Sequence, residues 1–64
     1  MKNGAAKLTW IKTQIEAGKT VYFSTALRVT KIANTKHVSM ISVGKDGGIY
    51  INGVCYDYAK LSAQ

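Results

Sequence analysis

The sequence predicts an α+β fold in which an N-terminal helix packs on one face of a four-stranded antiparallel meander, in the order α-β-β-β-β. Three observations support this expectation. A stretch with helical periodicity ends at a glycine, later stretches alternate apolar and polar residues, and glycine-containing turns separate them. The 64 residues suffice for one domain, placed at 1–64, with a core of one sheet face and one helix.

The helix is predicted over residues 4–17. Three aliphatic residues recur at i, i+3 and i+7 and therefore share one helical face: Leu8, Ile11 and Ile15. Asn3 is the expected N-cap, because its side-chain oxygen can accept a hydrogen bond from an amide of the first turn. Gly18 is the expected helix stop. The aliphatic face is expected to pack on five sheet residues: Phe23, Leu27, Ile41, Ile49 and Ile51.

Alternating residues predict four strands, at 20–32, 37–43, 49–51 and 54–58. In the first strand, Val21 and Phe23 begin a period of two that continues through Leu27 and Val29. Ile32 breaks that period, which predicts a bulge or a strand end near it. Residues 34–36 are expected to form a turn, and the tail 59–64 is expected to fray.

Two turns set the registers of the later strands. A three-residue loop at 45–47 pairs Val43 with Ile49, whereas a two-residue loop at 46–47 pairs Ser42 with Ile51. We favour the first, because it gathers the aliphatic residues on one face. Asn52-Gly53 is the preferred pair for a type I′ hairpin. It places five residues on one face: Ile49, Ile51, Val54, Tyr56 and Tyr58.

The charge is strongly positive. Nine Lys and Arg residues face three Asp and Glu residues, which gives a net charge of +6 and a pI near 9.7. Such an excess attracts nucleic acid, an anionic membrane surface or an acidic protein. No stretch approaches the ~20 apolar residues of a transmembrane helix, and no hydrophobic run follows Lys2 as in a secretion signal. The single cysteine, Cys55, excludes an internal disulfide. We therefore expect a cytoplasmic protein with no membrane partner.

Catalytic chemistry has little support in the sequence. Gly18-Lys19-Thr20 ends like a phosphate-binding loop, but Thr13 stands where the first glycine belongs, and the segment runs from helix to strand. One histidine, His37, and one cysteine supply neither a zinc ligand set nor a nucleophile with its base. We therefore expect that the protein is not an enzyme and that it has no catalytic residue, metal site or cofactor.

A nucleic-acid-binding surface is the first functional hypothesis. Tyr22 and Tyr50 are expected on the sheet face that the helix leaves open, where they could stack on bases, with Arg28 stacking or meeting phosphate. Three lysines on or beside the helix would add to the basic surface: Lys7, Lys12 and Lys19. Only Arg28 could read a guanine edge bidentately, so binding is expected to be directed mainly at the phosphate backbone.

Three segments resemble small accessory proteins of tailed bacteriophages. They are the run from Gly18 to Arg28, the turn from Val43 to Gly47 and the ending Asp57-Tyr58-Ala59-Lys60-Leu61. The resemblance implies a compact protein made in a bacterial cytoplasm that redirects or blocks a host component.

The second hypothesis is a protein-binding modulator, such as an inhibitor of a host enzyme or defence complex. Trp10 points away from the aliphatic stripe of the helix, and Gln14 lies on the same side. Tryptophan is among the residues most enriched at interface hot spots. Met40, on the open sheet face, is expected to join this partner-binding surface. The same face could also form a homodimer.

Overall fold

The computed structural model describes residues 3–64, which form two helices and six strands. The elements are α1 (Gly4–Glu16), β1 (Val21–Ser24), β2 (Val29–Ile32), α2 (Thr35–Val38), β3 (Ile41–Val43), β4 (Ile49–Ile51), β5 (Val54–Cys55) and β6 (Lys60–Ala63). Sheet A has the order β2-β1-β6 and sheet B the order β3-β4-β5, both antiparallel. The α+β class is confirmed. The prediction of a single four-stranded meander is wrong, because the strands form two three-stranded sheets.

Main-chain hydrogen bonds hold both ends of helix α1. At its end, Lys19 N–H donates to Gln14 O and Gly18 N–H donates to Ile15 O, both at 3.0 Å, which is the Schellman motif that a glycine with φ of 81° permits. At its start, Asn3 is the N-cap residue, as predicted, but its side chain makes no capping hydrogen bond. The α1 start instead docks on the β3–β4 turn, where Gly4 N–H donates to the carbonyl of Gly47 at 2.7 Å.

The predicted strand 20–32 is wrong, because the chain reverses in its middle. Ser24 pairs with Val29, and the Thr25 N–H donates to Arg28 O at 2.8 Å, which leaves Ala26 and Leu27 as a two-residue loop. The Thr25 hydroxyl accepts hydrogen bonds from the N–H groups of Leu27 and Arg28, at 3.3 and 3.1 Å, and donates to Arg28 O at 3.0 Å. A threonine side chain therefore holds this turn without glycine or asparagine in the loop.

The tail predicted to fray is the third strand of sheet A. Residues of β6 pair with β1, so that Val21 faces Ala63 and Phe23 faces Leu61. Thr20 and Gln64 extend the ladder by exchanging two backbone hydrogen bonds, at 2.9 and 3.0 Å. The prediction that the tail frays is wrong, because Leu61 and Ala63, two residues apart, both face the core as alternate residues of a strand do.

Sheet B follows the predicted registers. Val43 pairs with Ile49 and Ile41 with Ile51, which confirms the three-residue loop. Asn52 and Gly53 have φ of 51° and 80°, as the type I′ hairpin requires. The strand predicted at 37–43 is shorter than expected, because residues 35–38 form α2. Asn34 caps this helix, with its side-chain oxygen accepting from the N–H of His37 at 2.9 Å.

The core lies between α1 and the inner faces of the two sheets. Its buried members are Ile11, Val21, Phe23, Ile32, Val38, Ile41, Ile49, Ile51 and Tyr56. Phe23 of sheet A meets the Tyr56 ring edge-on, with centroids 5.6 Å apart. Three residues predicted to face inward do not: Leu27 is 90% exposed in the loop, Tyr58 is 95% exposed beyond β5, and Val29 is 62% exposed on the outer face of sheet A. Leu8 and Ile15 pack against the core while partly buried.

Candidate functional site

The outer face of sheet A, turned away from α1, carries a tyrosine between cationic side chains. Tyr22 lies on the central strand, opposite Lys31 of β2 and Ser62 of β6. One pair further along, Ser24 lies opposite Val29 and Lys60. Side chains directly opposite each other in antiparallel strands have Cβ atoms about 4.5–5.5 Å apart. We call these six residues the basic aromatic face: Tyr22, Ser24, Val29, Lys31, Lys60 and Ser62.

This face combines an aromatic ring with cationic side chains. Tyr22 is half-buried, so its ring is held in the sheet while part of it meets solvent, and Lys31 and Lys60 are exposed. Arg28 is exposed in the loop that leads into β2. None of the six residues is acidic. The ring can stack on a base while the cations meet neighbouring phosphates.

Tyr50 does not share this face. It lies in sheet B, between Ser42 and Cys55 on the outer side. Its ring packs over Gly44, where an added Cβ would lie 2.8 Å from Cε1 of the tyrosine. The prediction of a single open sheet face that carries both Tyr22 and Tyr50 is therefore wrong, because the two tyrosines belong to different sheets.

The predicted helix lysines are also separate from Tyr22. Lys7 and Lys12 belong to α1, which packs on the inner side of the sheets, and Lys19 is exposed in the turn that leads into β1. Lys7 is half-buried, and its Nζ donates to the backbone carbonyl of Asp57 at 3.4 Å. In their place the structure brings Lys31 and Lys60 to the tyrosine.

The predicted partner-binding residues are scattered. Trp10 is 39% exposed on α1, and Gln14, one turn along the helix, is half-buried. Met40 is exposed and lines a groove between the two sheets. Neither Trp10 nor Gln14 lines that groove. The structure therefore does not bring the three residues to one groove.

Two open grooves run between the β2 side of sheet A and the β5 side of sheet B. The first has a volume of about 360 Å³ and the second about 290 Å³. They adjoin, because Arg28, Val54 and Tyr56 line both. The hydroxyl groups of Thr30 and Tyr56, 3.1 Å apart, share a hydrogen bond that joins the two sheets there.

The histidine and the cysteine each have a local hydrogen bond. His37 Nδ1 accepts from the N–H of Ala33 at 3.1 Å, which leaves the proton of the neutral ring on Nε2. The Cys55 thiol donates to Oδ2 of Asp57 at 3.2 Å, while the other oxygen of that carboxylate accepts from Ile49 N–H at 2.8 Å. In residues 3–64, no three metal-ligating side chains gather at one place.

Comparison with known proteins adds no relative, since no family model, curated protein or solved structure matches the chain. Neither helix in the described part of the chain is long and apolar enough to cross a membrane.

Lys31 and Lys60 are the site residues that the sequence analysis missed. Lys60-Leu61-Ser62-Ala63 alternates polar and small or apolar residues, which is a strand signal. A hairpin in the middle of 20–32 would have placed Lys31 beside Tyr22. No glycine, proline, asparagine or aspartate marks that hairpin, and a threonine alone is a weak turn signal.

Proposed function

We propose that this protein is a non-enzymatic binding protein that binds single-stranded nucleic acid through the basic aromatic face. One observation carries the proposal: the register of sheet A places Tyr22 on the central strand, with Lys31 on one edge strand and Lys60 on the other. An aromatic ring flanked by cations on a sheet is the combination that single-strand-binding surfaces use.

The mechanism follows from the side chains. A base stacks on Tyr22, and the phosphates on either side of it meet Lys31 and Lys60. The net charge of +6 draws the strand toward the protein. Sequence preference is weak, because Arg28 is the one side chain here suited to reading a guanine edge bidentately.

The stacking step is tested by titrating labelled single-stranded oligonucleotides against Tyr22→Leu. The substitution is expected to weaken binding by about 1–3 kcal/mol. Tyr58→Leu is the matched control, because Tyr58 is 95% exposed and lies outside the face. Equal losses in both variants would show that Tyr22 has no special part in binding. Urea unfolding of each variant shows whether the fold is retained.

The electrostatic step is tested by salt dependence. The logarithm of affinity for single strands falls with the logarithm of salt by about 0.7 per phosphate contacted, and we expect about three to five contacts on a surface of this size. Lys31→Gln is expected to reduce that slope by about 0.7. Lys45→Gln, in the β3–β4 turn, removes the same charge away from the face and is expected to change it less. No binding at about 50 mM salt would refute the proposal.

A second candidate function is that of a protein-binding modulator, favoured by exposed apolar side chains. They include Trp10, Leu27, Met40 and Val54. The phage-type role, with a host enzyme or defence complex as partner in a bacterial cytoplasm, rests on the resemblance alone and stays a prediction. Affinity capture from a bacterial lysate, with and without nuclease, separates the two functions. Partners that remain bound after nuclease treatment favour the modulator, whereas partners lost on treatment favour nucleic-acid binding.

A further inference from the structure

Strand β2 has an open edge. Thr25 N–H donates to Arg28 O at 2.8 Å, so this pair is a hydrogen-bonded pair of the antiparallel ladder. Hydrogen-bonded and non-hydrogen-bonded pairs alternate along such a ladder. The backbone groups of Thr30 therefore point to β1, and those of Val29 and Lys31 point away from it. Within residues 3–64, β1 is the strand that pairs with β2, and no strand lies on its other side.

Strand β5 presents a similar edge across the grooves. Ile51 and Val54 flank the two-residue Asn52-Gly53 loop and form the first pair of that hairpin. Tyr56 N–H donates to Ile49 O at 3.0 Å, two residues further on. By the same alternation, the backbone groups of Cys55 point away from β4. Lys31 of β2 and Cys55 of β5 line the two adjoining grooves between these strand edges, and we call the trough that they form the inter-sheet groove.

The inter-sheet groove has apolar walls and cationic groups. Met40, Ile51 and Val54 supply aliphatic surface, and Arg28 and Lys31 line the side formed by β2. No residue that the structure places along either part of the groove is a carboxylate. An occupant must therefore offer backbone hydrogen bonds, apolar side chains and negative charge together.

We propose that the inter-sheet groove binds an extended acidic segment of a partner protein, which adds to β2 as a further strand. Main-chain hydrogen bonds to Val29 and Lys31 supply affinity that does not depend on side chains. The charge of the groove selects acidic partners, and the same charge disfavours a second copy of this chain, because each copy carries +6. The site shares Val29 and Lys31 with the basic aromatic face, but the segment bonds to their outward main-chain groups, whereas the proposed nucleic-acid contacts are those of the Tyr22 ring and the lysine side chains.

The pleat of β2 dictates the pattern of the segment. Lys31 lies on the outer face of sheet A, whereas its neighbour Ile32 is buried on the inner face. Side chains of an added strand follow the same alternation. Residues beside Lys31 face outward and are acidic, and those beside Thr30 and Ile32 face the aliphatic wall and are apolar. An alternating acidic and aliphatic sequence therefore fits the groove.

The probe is a blocked peptide of about eight residues in which glutamate and valine alternate, added to the full chain labelled with ¹⁵N. The expected result is that amide hydrogen exchange at Val29 and Lys31 slows about tenfold or more. Replacing each glutamate of the peptide with lysine is expected to abolish the effect. Unchanged exchange at both amides up to about 1 mM peptide would overturn the proposal.

Val29→Pro removes one outward N–H without removing a charge or a hydrogen bond to β1. It is expected to weaken peptide binding about tenfold. Val43→Pro is the matched control, because the Gly44–Gly48 hydrogen bond makes Val43 an outward-pointing residue of the edge strand β3. Equal weakening in both variants would contradict strand addition. If Val29→Pro fails to fold, the exchange measurement on the unaltered chain still decides.

Two other occupants give different results, and either would overturn the proposal. Protection of Val29 and Lys31 by an oligonucleotide and not by the peptide would assign the groove to nucleic acid. Protection that rises with protein concentration alone, with a dimer in sedimentation, would assign it to a second copy. Tyr22→Leu is expected to leave peptide binding unchanged, which keeps this test separate from that of the nucleic-acid face.

Discussion

Sheet B is built from one continuous stretch of chain, whereas sheet A joins a hairpin to a strand that lies far away in the sequence. In sheet B, each strand pairs with the next one along the chain, through turns that contain glycine. In sheet A, β1 pairs with β2 through a turn held by Thr25 and with β6 after the whole of sheet B has intervened. The proposed nucleic-acid face thus lies on the sheet with non-local pairing.

The two sheets share one core, and this limits how independently they can respond to substitution. Phe23 from sheet A contacts Tyr56, which follows β5 of sheet B, and the hydroxyl of that tyrosine meets Thr30. Substitutions at the shared core should therefore affect both sheets, and substitutions at their turns or edges should affect one. Substitutions of both kinds test that distinction.

Phe23→Ala should destabilise both sheets together. Phe23 is fully buried, so its truncation is expected to reduce the free energy of unfolding by about 3–5 kcal/mol. The measurement is urea unfolding followed by fluorescence and circular dichroism. Leu27→Ala is the control and should stay within about 0.5 kcal/mol of the parent, because Leu27 is exposed. A large loss of stability in Leu27→Ala would show that Leu27 belongs to the core.

Ser62→Pro should disrupt sheet A alone. The hydrogen-bonded pair of Thr20 and Gln64 places the Ser62 N–H toward β1, so proline there removes a ladder bond to Tyr22. The expected loss is about 1–3 kcal/mol, with nucleic-acid binding reduced as well. Ala63→Pro should reduce the free energy of unfolding less, because the N–H of Ala63 points away from β1. Amide exchange should rise in β1 and β6 and stay slow in sheet B; equal acceleration in both sheets would contradict separate responses.

Gly53→Ala should weaken the β4–β5 turn of sheet B. The space around Gly53 is open, so the cost comes from its φ of 80° rather than from a clash. We expect a loss of about 1–2 kcal/mol in the free energy of unfolding. NMR shifts of β1 and β6 should change little. Substantial shifts there would show that the turn of sheet B controls sheet A.

Thr25→Val should weaken the β1–β2 turn, since valine keeps the shape of threonine and loses its hydroxyl. The expected cost is about 0.5–1.5 kcal/mol, at the low end because the turn is exposed and water can replace the lost bonds. Thr13→Val is the control, because Thr13 is an exposed helical residue whose hydroxyl bonds to Thr9 O. A loss no larger than that of the control would show that the loop holds without the hydroxyl.

Sheet B could be predicted from the sequence because its turns are marked locally. Asn52-Gly53 selects a type I′ hairpin, and the aliphatic pairs across the 45–47 loop fix the register. Helix α1 was predictable for the same reason, since helical periodicity marks its body and Gly18 marks its end. These features depend on residues close together in the chain.

Sheet A could be predicted only in part. The alternation of Val21 and Phe23 identified the buried side of β1, but nothing in Ala26-Leu27 marks a reversal. The pairing of β6 depends on long-range complementarity, which no local pattern reports. For the candidate site, Tyr22 and Arg28 were found, while Lys31 and Lys60 were missed because their positions follow from the pairing.

The non-local position of β6 also sets an order for folding. During synthesis, the hairpin of β1 and β2 and the whole of sheet B emerge before Lys60 does. Local hairpins form quickly, whereas pairing between distant segments must first overcome the entropy of closing a long loop. The edge of β1 that β6 will cover stays uncovered in the nascent chain. The cationic surface around Tyr22 is therefore completed last, because its Lys60 side depends on the pairing of distant segments.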